Sequence, residues 1–196
     1  RFEHVKTKAA TYSKNIWLSV GGWGKSSAFI TVANSAGLSQ TFANNALAND
    51  DFTFWPDADY DASIPSFEDV LGYAPGERIT WHGDAVKYFE ALAKAAPDRL
   101  QIHRYAESWE GRELIYAVLS SADNMARIDE IKSAMQRLAD PRKTSRSEAT
   151  EIISKQPAVT WLSYGVHGNE ISSTEAAMLT AYHLLASRGD QRVGKI

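Results

Sequence analysis

Residues 158–175 read Ala158-Val159-Thr160-Trp161-Leu162-Ser163-Tyr164-Gly165-Val166-His167-Gly168-Asn169-Glu170-Ile171-Ser172-Ser173-Thr174-Glu175. The apolar run Ala158–Val166 predicts a buried strand, and Ser172–Ser187 predicts a helix closed by Gly189. His167 and Glu170 fall between them, at the carboxyl end of the strand and the mouth of the helix, where open sheets gather ligands. An imidazole nitrogen and a carboxylate oxygen turned toward one point suit a zinc ion. A catalytic zinc usually takes three protein ligands, often two His and one Glu, with water in the fourth position. The third ligand must come from elsewhere. His183 is too far along the helix, because about twelve residues at ~1.5 Å rise put it roughly 18 Å from the start. His82 and His103 stay open. The plainer alternative is a turn in which His167 satisfies a loop carbonyl while Asn169 and Glu170 serve the helix N-terminus, where a carboxylate is favoured.

Upstream, Asp84–Ala96 carries Val86, Phe89, Leu92 and Ala93 at helical spacing and is stopped by Pro97. Leu100–Tyr105 and Glu113–Leu119 are strand-like runs joined across Ser108-Trp109-Glu110-Gly111-Arg112, a hairpin signal. Ser121–Leu138 reads as a helix with Ile128, Ile131, Met135 and Leu138 on one face, followed by Pro141 and a polar, basic loop at Arg142, Lys143 and Arg146. Residues 50–80 are rich in Asp, Pro and aromatic residues without sustained periodicity. They read as an ordered arm or linker, since Phe52, Phe54, Trp55, Tyr60 and Phe67 would be costly to leave in water. Near the start, Asn15–Gly24 is an apolar run broken by glycines, followed by amphipathic helix patterns through Leu47, so residues 1–49 read as one βα unit. Strands interleaved with helices make the chain α/β.

Composition narrows the function classes. With 196 residues, 44% hydrophobic and 23% charged, the chain has the make-up of a globular protein, which excludes a disordered or collagen-like one. The net charge of −3 is spread without a basic cluster, which argues against nucleic acid as a partner. No run approaches a membrane span, and Arg1–Ala10 lacks a signal-peptide apolar core. There is no cysteine, so any metal must sit on His, Asp or Glu. The start without Met, in mid-pattern, suggests a fragment or processed product.

From residue 50 onward the chain resembles the zinc carboxypeptidases, the metallocarboxypeptidases, and especially their large bacterial members. The matching pieces are Tyr60-Asp61, Ile64-Pro65 and Val70-Leu71-Gly72, the hairpin Ser108-Trp109-Glu110-Gly111-Arg112-Glu113-Leu114, and Tyr164–Glu175. The resemblance implies a three-layer α/β/α domain with a mixed sheet, a zinc cofactor held by His167 and Glu170, and peptide or protein C-termini as substrate. It implies a secreted or periplasmic location, without a signal peptide in this chain. The family's second His ligand, carboxylate-binding arginines, covering tyrosine and catalytic glutamate lie downstream of Ile196, so the expectation is an incomplete, truncated site. Glu175 is expected to pack or cap, and Arg112 to pair with Glu110 or Glu113.

Residues 1–49 are similar instead to chitinase-type family 18 glycoside hydrolases, through Lys14–Gly24 with Ser19, Gly21 and Gly22, then Ala28-Phe29 and Gln40–Asn44. This implies a TIM-barrel fragment and no activity, because one βα unit cannot close an eight-stranded barrel. The expected organisation is a 1–49 βα fragment, a 50–80 aromatic arm and an 81–196 carboxypeptidase-like domain, with Trp17, Phe29 and Phe42 exposed if the first segment packs poorly. The leading expectation for function is therefore a zinc-dependent metallocarboxypeptidase. The alternatives are a chitinase-like carbohydrate-active fragment and a non-catalytic hydrolase fragment.

Overall fold

A computed structural model describes Trp55, residues 58–190 and Val193. The expected βα unit of residues 1–49, with Trp17, Phe29 and Phe42, lies outside the described residues. The chain divides into two units. In one of them the described residues are Trp55 and the segment 158–163; the other takes in residues 58–157 and 164 onward.

The larger unit mixes helix and strand, consistent with an α/β chain. Its elements run β1 (Asp59–Tyr60), α1 (Phe67–Leu71), α2 (His82–Ala95), β2 (Leu100–Glu107), β3 (Glu113–Leu119), α3 (Ala122–Ala126), α4 (Ile128–Ala139), α5 (Arg146–Lys155), α6 (Ser172–Ala186) and β4 (Ser187–Arg188). Among the described residues the strands form two antiparallel pairs, β1 with β4 and β2 with β3. The mixed sheet and third layer implied by resemblance are not among these pairings.

Local sequence explains most of the helix boundaries. Ser66 caps α1 by accepting from the Asp69 amide, while the Asp69 carboxylate accepts from the Ser66 amide. Gly72, at φ 76°, ends the helix in the left-handed conformation that glycine adopts without strain. Helix α2 stops before Pro97, as expected. Tyr88 joins Leu92 as its fully buried pair, with Phe89 and Ala93 partly buried against the core.

Two helical expectations change. Ser121–Leu138 is two helices, broken at Arg127 (φ −115°), whose guanidinium bonds the Asn124 side chain. Asp123 and Asn124 are poor helix formers because their short polar side chains compete for backbone groups. The polar loop at Arg142 and Lys143 runs into a helix at Arg146, initiated by a Ser145/Glu148 capping box. That Ser-x-x-Glu pattern was the available signal.

The hairpin matches its sequence reading. Leu100 pairs with Leu119 at the buried base and Glu107 with Glu113 near the exposed tip, with an irregularity between Arg104 and Ala106. The turn is closed by Ser108 N–H to the Arg112 carbonyl at 2.8 Å and Gly111 N–H to the Ser108 carbonyl at 3.0 Å. Gly111 sits at φ 73°, which favours glycine. Arg112 pairs with Glu110, one of the two partners expected, while Glu113 is reached by Arg104. The Ser-Trp-Glu-Gly-Arg motif thus builds a turn.

The expected strand at Ala158–Val166 is not formed. These residues carry no ladder and are exposed, Val159 at 67% and Trp161 at 72%. A buried strand needs hydrogen-bonded neighbours on its edges and covering layers on its faces. Among the described residues none pairs with it.

The core lies where the arm, α2, the base of β2 and α6 converge. Ile64, Phe67 and Tyr73 come from the arm, Tyr88, Leu92 and Leu100 from α2 and β2, and Met178, Leu185 and Ala186 from α6. Phe67 meets Tyr73 edge-on with centroids 5.3 Å apart and lies 5.7 Å from Tyr88. Burial raises the Tyr88 phenol pKa, and its hydroxyl donates to the Pro65 carbonyl at 3.3 Å.

The carboxyl end of α6 is closed from outside. Arg99 donates to the Leu185 and Leu184 carbonyls at 2.9 and 3.0 Å, and the Asp61 amide donates to the Ala186 carbonyl at 2.7 Å. Replacing Arg99 by Met leaves two of these carbonyls without their charged donor. The expected cost is about 1.5–3 kcal/mol, read as a lower thermal midpoint; an unchanged midpoint would show the contact to be ornamental.

Asp61 adds a pH signature. The Ser63 hydroxyl and amide, followed by Arg188, hold its carboxyl down to about 2 from the ordinary 3.8. A lowered carboxyl pKa favours the folded state above the ordinary value, and this contribution disappears as pH falls from 3.8 toward 2. Asp61→Asn is therefore expected to flatten the thermal midpoint in that acid window. The comparison is a set of melts of both proteins between pH 2 and 5.

Candidate metal centre

The amino-terminal end of α6 carries the chemistry. Its N-cap is Ile171, with helical backbone angles and no side-chain cap. The chain approaches through the exposed, irregular segment 164–171, tied down by three contacts. The Tyr164 hydroxyl donates to Thr180 Oγ1 at 3.3 Å, the Gly165 amide donates to Ser173 Oγ at 2.8 Å, and the Ser173 amide donates to the Glu170 carbonyl at 3.2 Å. Inside that loop the Glu170 amide donates to the His167 carbonyl at 3.1 Å.

This backbone turn brings the two expected ligands together. His167 Nδ1 lies 3.1 Å from Glu170 Oε1, with the side chains 44% and 48% exposed. A carboxylate oxygen only accepts, so the contact places the ring proton on Nδ1. The Glu170 carboxylate faces His167, and the N-cap residue Ile171 makes no side-chain cap.

The donor set fits two positions of a zinc site. Nitrogen and oxygen ligands about 2.0–2.1 Å from a tetrahedral ion stand about 3.3 Å apart, close to the observed separation. An ion taken there would replace the Nδ1 proton. Among the described residues, however, no group of three or more His, Asp or Glu side chains gathers to hold a metal.

The other described histidines lie elsewhere. His82 Nε2 lies 2.6 Å from the Glu113 carbonyl, and His103 stacks on Tyr116 with centroids 4.9 Å apart. Neither joins His167. His183 is buried near the far end of α6, its Nδ1 3.0 Å from the Tyr60 hydroxyl and its Nε2 3.5 Å from Asp190. Its exclusion on helical rise agrees with that placement.

Glu175, expected to pack or cap, is a tether. One carboxylate oxygen accepts from the Gly76 amide at 2.8 Å and the other from the Thr80 hydroxyl at 2.9 Å. Thr80 is buried and shares a 2.9 Å hydrogen bond with the Tyr73 hydroxyl. Each Glu175 carboxylate oxygen thus holds one donor from the 76–80 segment. The role of Ser173 escaped the sequence reading, because a Ser in the first turn of a helix looks like an ordinary terminus residue whatever its hydroxyl binds.

Exposed ion pairs contribute about 0–1 kcal/mol. His167→Ala and Glu170→Ala are therefore each expected to leave the thermal midpoint almost unchanged in metal-free buffer. A large drop in either would make the pair a structural element.

No curated protein and no solved structure matches the chain. A family model described as zinc carboxypeptidase matches residues 85–196. No match supports the chitinase resemblance of residues 1–49. The matched segment takes in most of α2, the hairpin, α6 and the His167–Glu170 turn, more than half of the sequence, and the chain accordingly belongs to the zinc carboxypeptidase family.

Proposed function

We propose that this chain carries the part of a zinc-dependent metallocarboxypeptidase that supplies two zinc ligands, His167 and Glu170, in a domain of three-layer α/β/α type acting on peptide or protein C-termini. The observation that carries the reading is the convergence of His167 Nδ1 and Glu170 Oε1 to 3.1 Å on an exposed turn inside the family-matched segment. Exposed pairs add little stability, so this convergence is better explained by ligation than by folding.

Zinc, when bound, polarises a scissile carbonyl and lowers the pKa of a bound water. The residues of this chain provide the seat. His167 contributes a neutral nitrogen, Glu170 contributes a negative charge that offsets part of the ion's own, and both stand on an exposed loop. Among the described residues no helix is long and apolar enough to cross a membrane. Secretion or export to the periplasm is the location this reading favours, by kinship with the family.

Zinc titration of the purified chain tests the proposal. One zinc per chain is expected, at modest affinity because two protein ligands hold it where a complete site uses three. His167→Ala is expected to abolish binding. Stoichiometric binding indifferent to that substitution would overturn the assignment.

A further inference from the structure

Between the amide of Gly165 and the carbonyl of Glu170 lies the short loop that presents both proposed ligands. A single residue, Ser173, closes it at both ends. Its hydroxyl oxygen accepts from the Gly165 amide at 2.8 Å, and its own amide donates to the Glu170 carbonyl at 3.2 Å. Gly165 stands at φ 67°, a left-handed residue that turns the chain back toward the helix so that its amide can reach Ser173.

The hydroxyl contact is not ordinary helix capping. A capping serine satisfies an amide within its own helix, two or three residues ahead. Ser173 instead accepts from an amide eight residues back, outside α6. Beside the loop, the Tyr164 hydroxyl reaches Thr180, and residues 165–172 are all exposed with none in the core.

The anchor continues into the body of the unit. Glu175, in the same first turn, is fixed to Gly76 and to buried Thr80, so the start of α6 cannot shift without breaking two charge-assisted hydrogen bonds. Rigidity passes from Thr80 to Glu175, back within the first turn of α6 to Ser173, and from Ser173 to the loop.

We infer that Ser173 is a positioning residue for metal binding: its hydroxyl holds the His167–Glu170 loop in the conformation that brings the two ligand atoms together. This rests on the zinc reading above. Without the hydroxyl the loop samples more backbone states, and binding must then supply the ordering free energy. Stability should scarcely change, because the loop is exposed, whereas zinc affinity should fall.

The test titrates zinc into the full chain and into Ser173→Ala, Ser173→Thr and His167→Ala, with a thermal melt of each in metal-free buffer. Ser173→Ala is expected to bind zinc about tenfold more weakly while melting within a few degrees of the parent. Threonine keeps a γ-oxygen at the same place, so Ser173→Thr is expected to restore binding to within about threefold. Parent-like affinity in Ser173→Ala, with binding lost in His167→Ala, would overturn this inference and leave the zinc assignment standing. Failure of Ser173→Thr to recover affinity would also overturn it. Binding indifferent to His167→Ala would overturn the zinc assignment, and this inference with it.

Discussion

Arg99 closes the carboxyl end of α6, and the placement of the candidate site follows from it. A helix terminus leaves carbonyls without partners, and the carboxyl end of α6 lies against the core, where Leu185 and Ala186 are buried. The guanidinium satisfies two of those carbonyls from the junction between α2 and β2, and its own carbonyl accepts from Ser120 at the end of β3. Through its side chain and its backbone, one residue therefore ties the end of α2, the hairpin base and α6 together. With that end fixed, and Met178, Ala181 and Leu185 packed in the core, the direction of α6 is set. Its amino-terminal end is thereby aimed outward, into solvent.

The two ends of α6 meet opposite demands. The carboxyl end is buried and over-determined, with Arg99 and the Asp61 amide on its carbonyls and Tyr60 and Asp190 about His183. The amino end carries an exposed His and an exposed carboxylate, which cost little to keep in water and can exchange a proton for an ion. Between them Glu175 transmits the rigidity of the core to the loop through two hydrogen bonds. A ligand pair on a free loop would have to be ordered by the metal itself.

The parts of the fold legible in the sequence were those governed by near neighbours. Helices α2 and α6 showed through apolar spacing, α2 with its Pro97 stop, although α6 ends at Ala186 on an extended Ser187 and not at the expected Gly189, and the hairpin showed through Gly111 and its flanking β-prone runs. The break at Arg127 and the helix beginning at Arg146 escaped the reading although their causes are local, in Asn124 and in the Ser145/Glu148 box, because apolar periodicity outweighed capping chemistry. The strand at Ala158–Val166 failed for a different reason. Its residues are as apolar as a buried strand requires, but strand formation depends on what lies beside it, and nothing within the segment encodes that.

For the candidate site, the sequence alone determined which side chains could act. With cysteine absent, His and carboxylate were the donors to consider; His167 and Glu170 at the mouth of a helix suggested a pair, and the family resemblance rested on the longer motifs of the arm, the hairpin and Tyr164–Glu175. Only the tertiary structure decided that their donor atoms converge, that His82, His103 and His183 are engaged elsewhere, and that Ser173 and Glu175 hold the loop. The physical reason is range. Residue type and short spacing fix donor chemistry and local backbone, whereas convergence at 3.1 Å depends on hydrogen bonds such as Glu175 to Thr80, formed across 95 residues of chain.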